Sequence, residues 1–193
     1  MSVHRRWFAI ALLTTTALAV SACAGTPATT PATSAASTPS AAATDTLTAT
    51  GYGALQIGMT KAEATATGLT SGISGTAGTC GASDDGTLAG APTDDSDYVL
   101  GTLVFSANSG KLVAIYAYGP VATPEGITVG STVADLKAAY PGWSGEPDED
   151  GKASDEGRGY VELPGSGNTY RIVADSGKVV ELSLDSLQQD CYE

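Results

Sequence analysis

The stretch Ile57–Ala64, "IGMTKAEA", recurs in outline at Val129–Leu136 as "VGSTVADL": an apolar residue, Gly, Met or a small residue, Thr, two spacers, an acid and an apolar residue. In both copies the Thr, Thr60 or Thr132, stands where a helix N-cap belongs. The acid three positions on, Glu63 or Asp135, completes a capping-box pattern. Hydroxyl and carboxylate together satisfy amide N–H groups that the start of a helix leaves without partners. The motifs therefore predict two short helices, one over about residues 61–67 and stopped by Gly68, the other over about 133–140 and stopped by Pro141 and Gly142.

The echo continues downstream. "NSGKLVAIYA" from Asn108 and "DSGKVVELSL" from Asp175 agree at Ser, Gly, Lys and Val, and each predicts a hairpin with Gly110 or Gly177 at the turn. Preceding strands are predicted at about 98–106 and 170–174, with a further one over 159–163. The helix motifs are 72 residues apart and the hairpins 67, as duplication followed by drift of the intervening loop would leave them. The fold class expected is α+β: two related halves, residues 47–122 and 123–193, each a short capped helix followed by antiparallel strands, sharing one sheet or core. A half of about 70 residues buries too little apolar surface to stand comfortably alone.

Before these halves come two segments of other character. The start, "MSVHRRWFAIALLTTTALAVSACAG", has basic residues at His4, Arg5 and Arg6, an apolar stretch from Trp7 to Val20, and then "VSAC" ending at Cys23. The apolar stretch is shorter than the roughly 20 residues needed to span a bilayer and fits a secretory signal. "VSAC" resembles the lipobox of bacterial lipoproteins, which makes residues 1–22 a cleaved signal peptide and Cys23 the lipidated first residue. Residues 23–46 hold almost nothing but Ala, Thr, Ser, Pro and Gly after Cys23, and read as a disordered tether. The expected location is the extracytoplasmic face of a cell membrane, held by the lipid on Cys23.

Removing residues 1–22 takes away the only His and two of nine basic residues, leaving seven Lys and Arg against 21 Asp and Glu, a net charge of −14. That balance argues against nucleic acid and against electrostatic adhesion to anionic lipid. With Cys23 committed to lipid, Cys80 and Cys191 remain, and in an exported chain they are expected to be bonded. Without His or a spare Cys, neither a Ser-His-Asp site, nor a Cys-His site, nor a His-ligated zinc site can be built. No cofactor or metal is expected. "EPDEDGKASDEG" at 146–157 imitates the start of a calcium loop but has Gly157 where the twelfth-position Glu belongs, so it reads as a solvated loop, as does "TDDSDY" at 93–98.

An apolar-Gly-Met-Thr entry into a helix, in tandem and in a lipidated chain, resembles the β-lactamase inhibitory proteins and the related small outer-membrane assembly lipoproteins. The resemblance implies the fold and a role in protein binding. One departure is the expected disulfide, which links the halves here, whereas the family has one within each.

Function is therefore sought where the two copies disagree. Aligning Lys111 with Lys178 assigns Val113, Ile115 and Ala117, with Val180, Leu182 and Leu184, to the core. The opposite face carries Val179, Glu181 and Ser183 in the second copy, but Leu112, Ala114, Tyr116 and Tyr118 in the first. Tyr offers large, rigid contact area with a polar tip. Tyr116 and Tyr118, with Tyr52 and Trp143, are the candidate partner-binding residues, burial between the halves being the competing reading. The expectation is a lipid-anchored, non-enzymatic module that binds another envelope protein or assists envelope assembly. The alternatives are an inhibitor of a secreted or envelope enzyme such as a β-lactamase, and a carboxylate-based cell-wall hydrolase.

Overall fold

A computed structural model describes residues 45–92 and 99–192. Cys23, residues 1–22, nearly all of residues 23–46 and the acidic segment 93–98, on which the expected lipidation, signal peptide, tether and solvated loop fall, lie outside the described residues.

The chain is α+β and mostly β. Two short hairpins come first: β1 (Gly51–Tyr52) with β2 (Leu55–Gln56), and β3 (Thr70–Ser71) with β4 (Thr87–Leu88). The main sheet is antiparallel and five-stranded, in the order β5-β6-β9-β8-β7, from β5 (Leu103–Phe105), β6 (Leu112–Tyr116), β7 (Gly157–Leu163), β8 (Asn168–Asp175) and β9 (Lys178–Ser186). Helices α1 (Lys61–Ala66) and α2 (Val133–Ala139) present Ala64, Val133 and Leu136 to a core that also holds Leu112, Ile115, Leu182 and Leu184. Asp45 and Thr46, expected in the tether, already belong to the fold: the Ala122 N–H donates to Asp45 O, and Leu47, fully buried, donates back to Ala122.

Both helices start as their caps require. Thr60 accepts from the Glu63 N–H while Glu63 Oε2 accepts from the Thr60 N–H at 2.8 Å; at α2 the Thr132 hydroxyl accepts from Asp135 N at 3.1 Å, without the reciprocal backbone bond. Each helix entry is also sewn to a hairpin strand in one pattern. Gly58 N donates to Leu112 O and Leu112 N to Met59 O; Gly130 N donates to Val179 O and Val179 N to Ser131 O. Thr60 then bridges Lys111 as Thr132 bridges Lys178.

The expected alternation along those strands needs one correction. Val104 pairs with Ala114 but Phe105 with Leu112, so Val113 is an extra, bulged residue; Val180 is the same in β9, where Val173 pairs with Glu181 and Ala174 with Val179. A bulge shifts the phase of the strand by one. Leu112 and Val179 therefore enter the core, whereas Val113 joins Val104, Ala114 and Tyr116 on the opposite face.

Candidate functional site

The sheet face turned away from the helices, the outer face, was expected to be either a recognition face or buried between the halves at Tyr116, and wet at Glu181 and Ser183. It is buried at all three, under the chain's own tail. Residues 187–192 cross this face after β9, and the disulfide Cys80–Cys191, with Cα atoms 5.1 Å apart, fastens them at the β5 edge. Cys191 and Tyr192 pack against Val104, Val113, Ala114 and Tyr116, leaving Tyr116 only 6% exposed. The tail is pinned further by Asn108, which donates through its backbone and side chain to Asp190 Oδ2.

The four candidate aromatics are not brought together. Tyr52 and Trp143 lie buried in the main core, and Tyr118 packs partly buried against that core with its hydroxyl donating to Ala89 O at 2.8 Å. Strand β6 ends at Tyr116, so the alternation that would have set Tyr118 beside it stops one step too soon.

Under the tail lies a buried polar network. Arg171 donates to Glu181, and its guanidinium lies 6.0 Å from the Tyr116 ring centroid and 5.6 Å from that of Tyr192. Burial works against the Arg171 charge, but Glu181 and then Tyr116 outweigh it and raise its pKa. Tyr192 donates to Asp185 Oδ2 at 2.9 Å. The other Asp185 oxygen, Oδ1, is buried with no well-formed hydrogen bond among the described residues, on a residue 3% exposed, and the Ser183 hydroxyl lies beside the carboxylate. Burial raises the Asp185 pKa, since a desolvated carboxylate prefers its neutral form.

Where the tail leaves β9 the covering is incomplete. A groove of about 270 Å³ runs between β7 and the tail, with Thr169 and Asp185 in its lining and Tyr160, Glu162, Leu187 and Tyr192 around them. Tyr160 is 50% exposed and Leu187 69%, two of the three large apolar side chains most open to solvent among the described residues. This groove, and not the four expected aromatics, is the candidate site. Asp185 carries its polarity, and Tyr160 and Leu187 its contact area.

A signal for it did exist in the sequence. If Cys191 reaches Cys80 at the far edge, the few residues after the last strand have to cross a face of the sheet. Tyr116 then lies on their path, and the uncovered remainder falls toward β7.

The acidic loop after Trp143 is occupied with its own turn. Asp148 Oδ1 accepts from the N–H groups of Asp150 and Lys152 at 3.0 and 2.8 Å, and Gly145 bridges Ser154. No family model, curated protein or solved structure matches this chain.

Proposed function

We propose that the chain is a lipid-anchored, extracytoplasmic, non-enzymatic module of two related halves that binds another envelope protein through the groove between β7 and the C-terminal tail. The observation that carries this reading is Asp185: a buried carboxylate with one oxygen unpartnered, in a groove flanked by the exposed Tyr160 and Leu187. An unsatisfied buried acceptor costs stability, and a donor from a ligand relieves that cost. With a net charge of −14 once residues 1–22 are removed, the chain favours a basic side chain as that donor.

The two-halves reading rests on the shared bonding of the helix entries and on the bulges at Val113 and Val180, which align when Lys111 is set on Lys178. Binding in place of catalysis is favoured because Glu181 is engaged by Arg171 and does not complete a free carboxylate pair with Asp185.

Photo-crosslinking from position 187 of the full chain in its membrane tests the reading. The expected result is a discrete protein adduct, absent from a control position on the opposite side such as Ala62, and lost in Asp185→Asn. Identical adducts at both positions would reject it.

A further inference from the structure

The main sheet has two edge strands, and they are finished differently. In β5 three of the four outward groups of Leu103 and Phe105 are taken: Leu103 N donates to Gly86 O at 3.0 Å, Phe105 N to Asp85 Oδ2 at 2.9 Å, and Phe105 O accepts from Cys80 N at 3.0 Å. In β7 the parity of the ladder gives the opposite result. Leu187 N donates to Gly167 O, so odd-numbered residues of β8 face β9 and even-numbered ones face β7. Their β7 partners are Gly157, Gly159, Val161 and Leu163. The N–H and C=O groups of Arg158, Tyr160 and Glu162 therefore point away from the sheet, and among the described residues no backbone group pairs with them.

Apart from the charges of Arg158 and Glu162, this edge lacks the usual protection. It is seven residues long, its ladder with β8 runs without a register shift, and it contains neither Pro nor Lys. Clefts lie on both sides: the groove just described, and one of about 490 Å³ against Tyr140 and Trp143, both bordered by Tyr160 and Glu162.

We propose that β7 pairs with β7 of a second copy, antiparallel about a two-fold axis through Tyr160, joining two five-stranded sheets into one of ten. The sequence of the strand, "GRGYVEL", selects this occupant. A two-fold at Tyr160 sets Arg158 opposite Glu162 of the second copy, and Glu162 opposite its Arg158, so both cross-strand pairs join opposite charges. Arg158 has no ion-pair partner among the described residues, and its Nε is buried without an acceptor. Tyr160 meets its own copy at the axis, where aromatic pairs add contact. This proposal does not rest on the groove reading: pairing uses the backbone of the edge with the side chains of Arg158, Tyr160 and Glu162, of which Tyr160 and Glu162 also border the groove, and makes no use of Asp185 or Leu187.

The test uses single cysteines in the full chain in its membrane, with Cys80–Cys191 intact. At the axis, residue 160 faces its own copy across a hydrogen-bonded pair with Cα atoms about 5.5 Å apart, within the span of a disulfide. Tyr160→Cys is expected to give a disulfide-linked dimer under mild oxidation. Glu162→Cys is not, since its copy lies four residues further along the strand, while a mixture of Arg158→Cys and Glu162→Cys chains gives the mixed dimer. Adding Arg158→Glu to Tyr160→Cys should lower the dimer about tenfold, and adding Glu162→Arg as well should restore it. Failure of Tyr160→Cys to dimerise above an exposed position off the edge, such as Ser109→Cys, overturns the proposal. Self-linkage of Glu162→Cys at equal yield overturns the register.

Discussion

The two ends of the sheet show how one chain can close one edge and leave the other open. Beyond β5 the chain does not lay down another regular strand; residues 79–88 fold back along it around a buried ion pair. Lys61, 3% exposed, reaches Asp85, fully buried, at 2.9 Å, and spends its other donors on Ser74 O and Asp84 O. Asp85 accepts from Thr79, Gly81 and Phe105. Beyond β8 lies β7, a regular strand whose far-side backbone groups are unpaired among the described residues. The position of Lys61 in α1 is that of Val133 in α2, which is buried against the main core. Closing an edge here takes a buried charge, its partner and a disulfide, and the open edge lacks all three.

Breaking the closed edge should have the largest effect. Cys191→Ser opens a loop whose ends are 111 residues apart and is expected to cost about 4 to 5 kcal/mol in urea denaturation, with the tail released from Tyr116. Lys61→Met leaves Asp85 buried without its cation and is expected to cost about 3 to 5 kcal/mol. The pH dependence follows. Burial works against the Asp85 charge, yet the donors from Gly81, Phe105, Lys61 and Thr79 outweigh it and hold the pKa below the usual carboxylate range. That stabilisation is complete above the unfolded pKa of about 3.9 and is lost as pH falls through the folded value. Without Lys61 the folded pKa rises, so acid unfolding should begin at a higher pH; an unchanged acid midpoint would mean the pair carries little.

The smallest effect sharpens the comparison between the two helix starts. Thr60→Ala removes a complete capping box and should cost about 1 kcal/mol, while Thr132→Ala, where the backbone bond to the acid is missing, should cost about half as much. Equal losses in denaturation would show that the reciprocal bond adds nothing.

What was legible in the sequence was local. Helix starts at Thr60 and Thr132 and turns at Gly110 and Gly177 follow from short-range chemistry, the pairing of Cys80 with Cys191 follows from cysteine count and export, and each is present in the fold. The face assignments were not legible where neighbouring residues are all apolar. "LVA" and "VVE" fit either phase of a strand, so the bulges at Val113 and Val180 left no mark. The site was missed because Glu181 and Ser183 look like a solvated face until the tail is laid over them. Buried polar groups in a network carry no periodic signature. Lys61 shows the same limit: a lysine one residue past a helix cap reads as exposed, and only the fold brings Ser74, Asp84 and Asp85 to it.

Amide hydrogen exchange resolved to single residues, on the Arg158→Glu chain in which self-pairing is weakened about tenfold, tests the contrast between the edges most directly. The N–H groups of Leu103 and Phe105 should exchange only with opening of the core, while those of Arg158, Tyr160 and Glu162 should exchange orders of magnitude faster than those of Gly159 and Val161 beside them. Equal protection of Tyr160 and Val161, or rapid exchange at Phe105, would contradict a sheet closed at one end and open at the other.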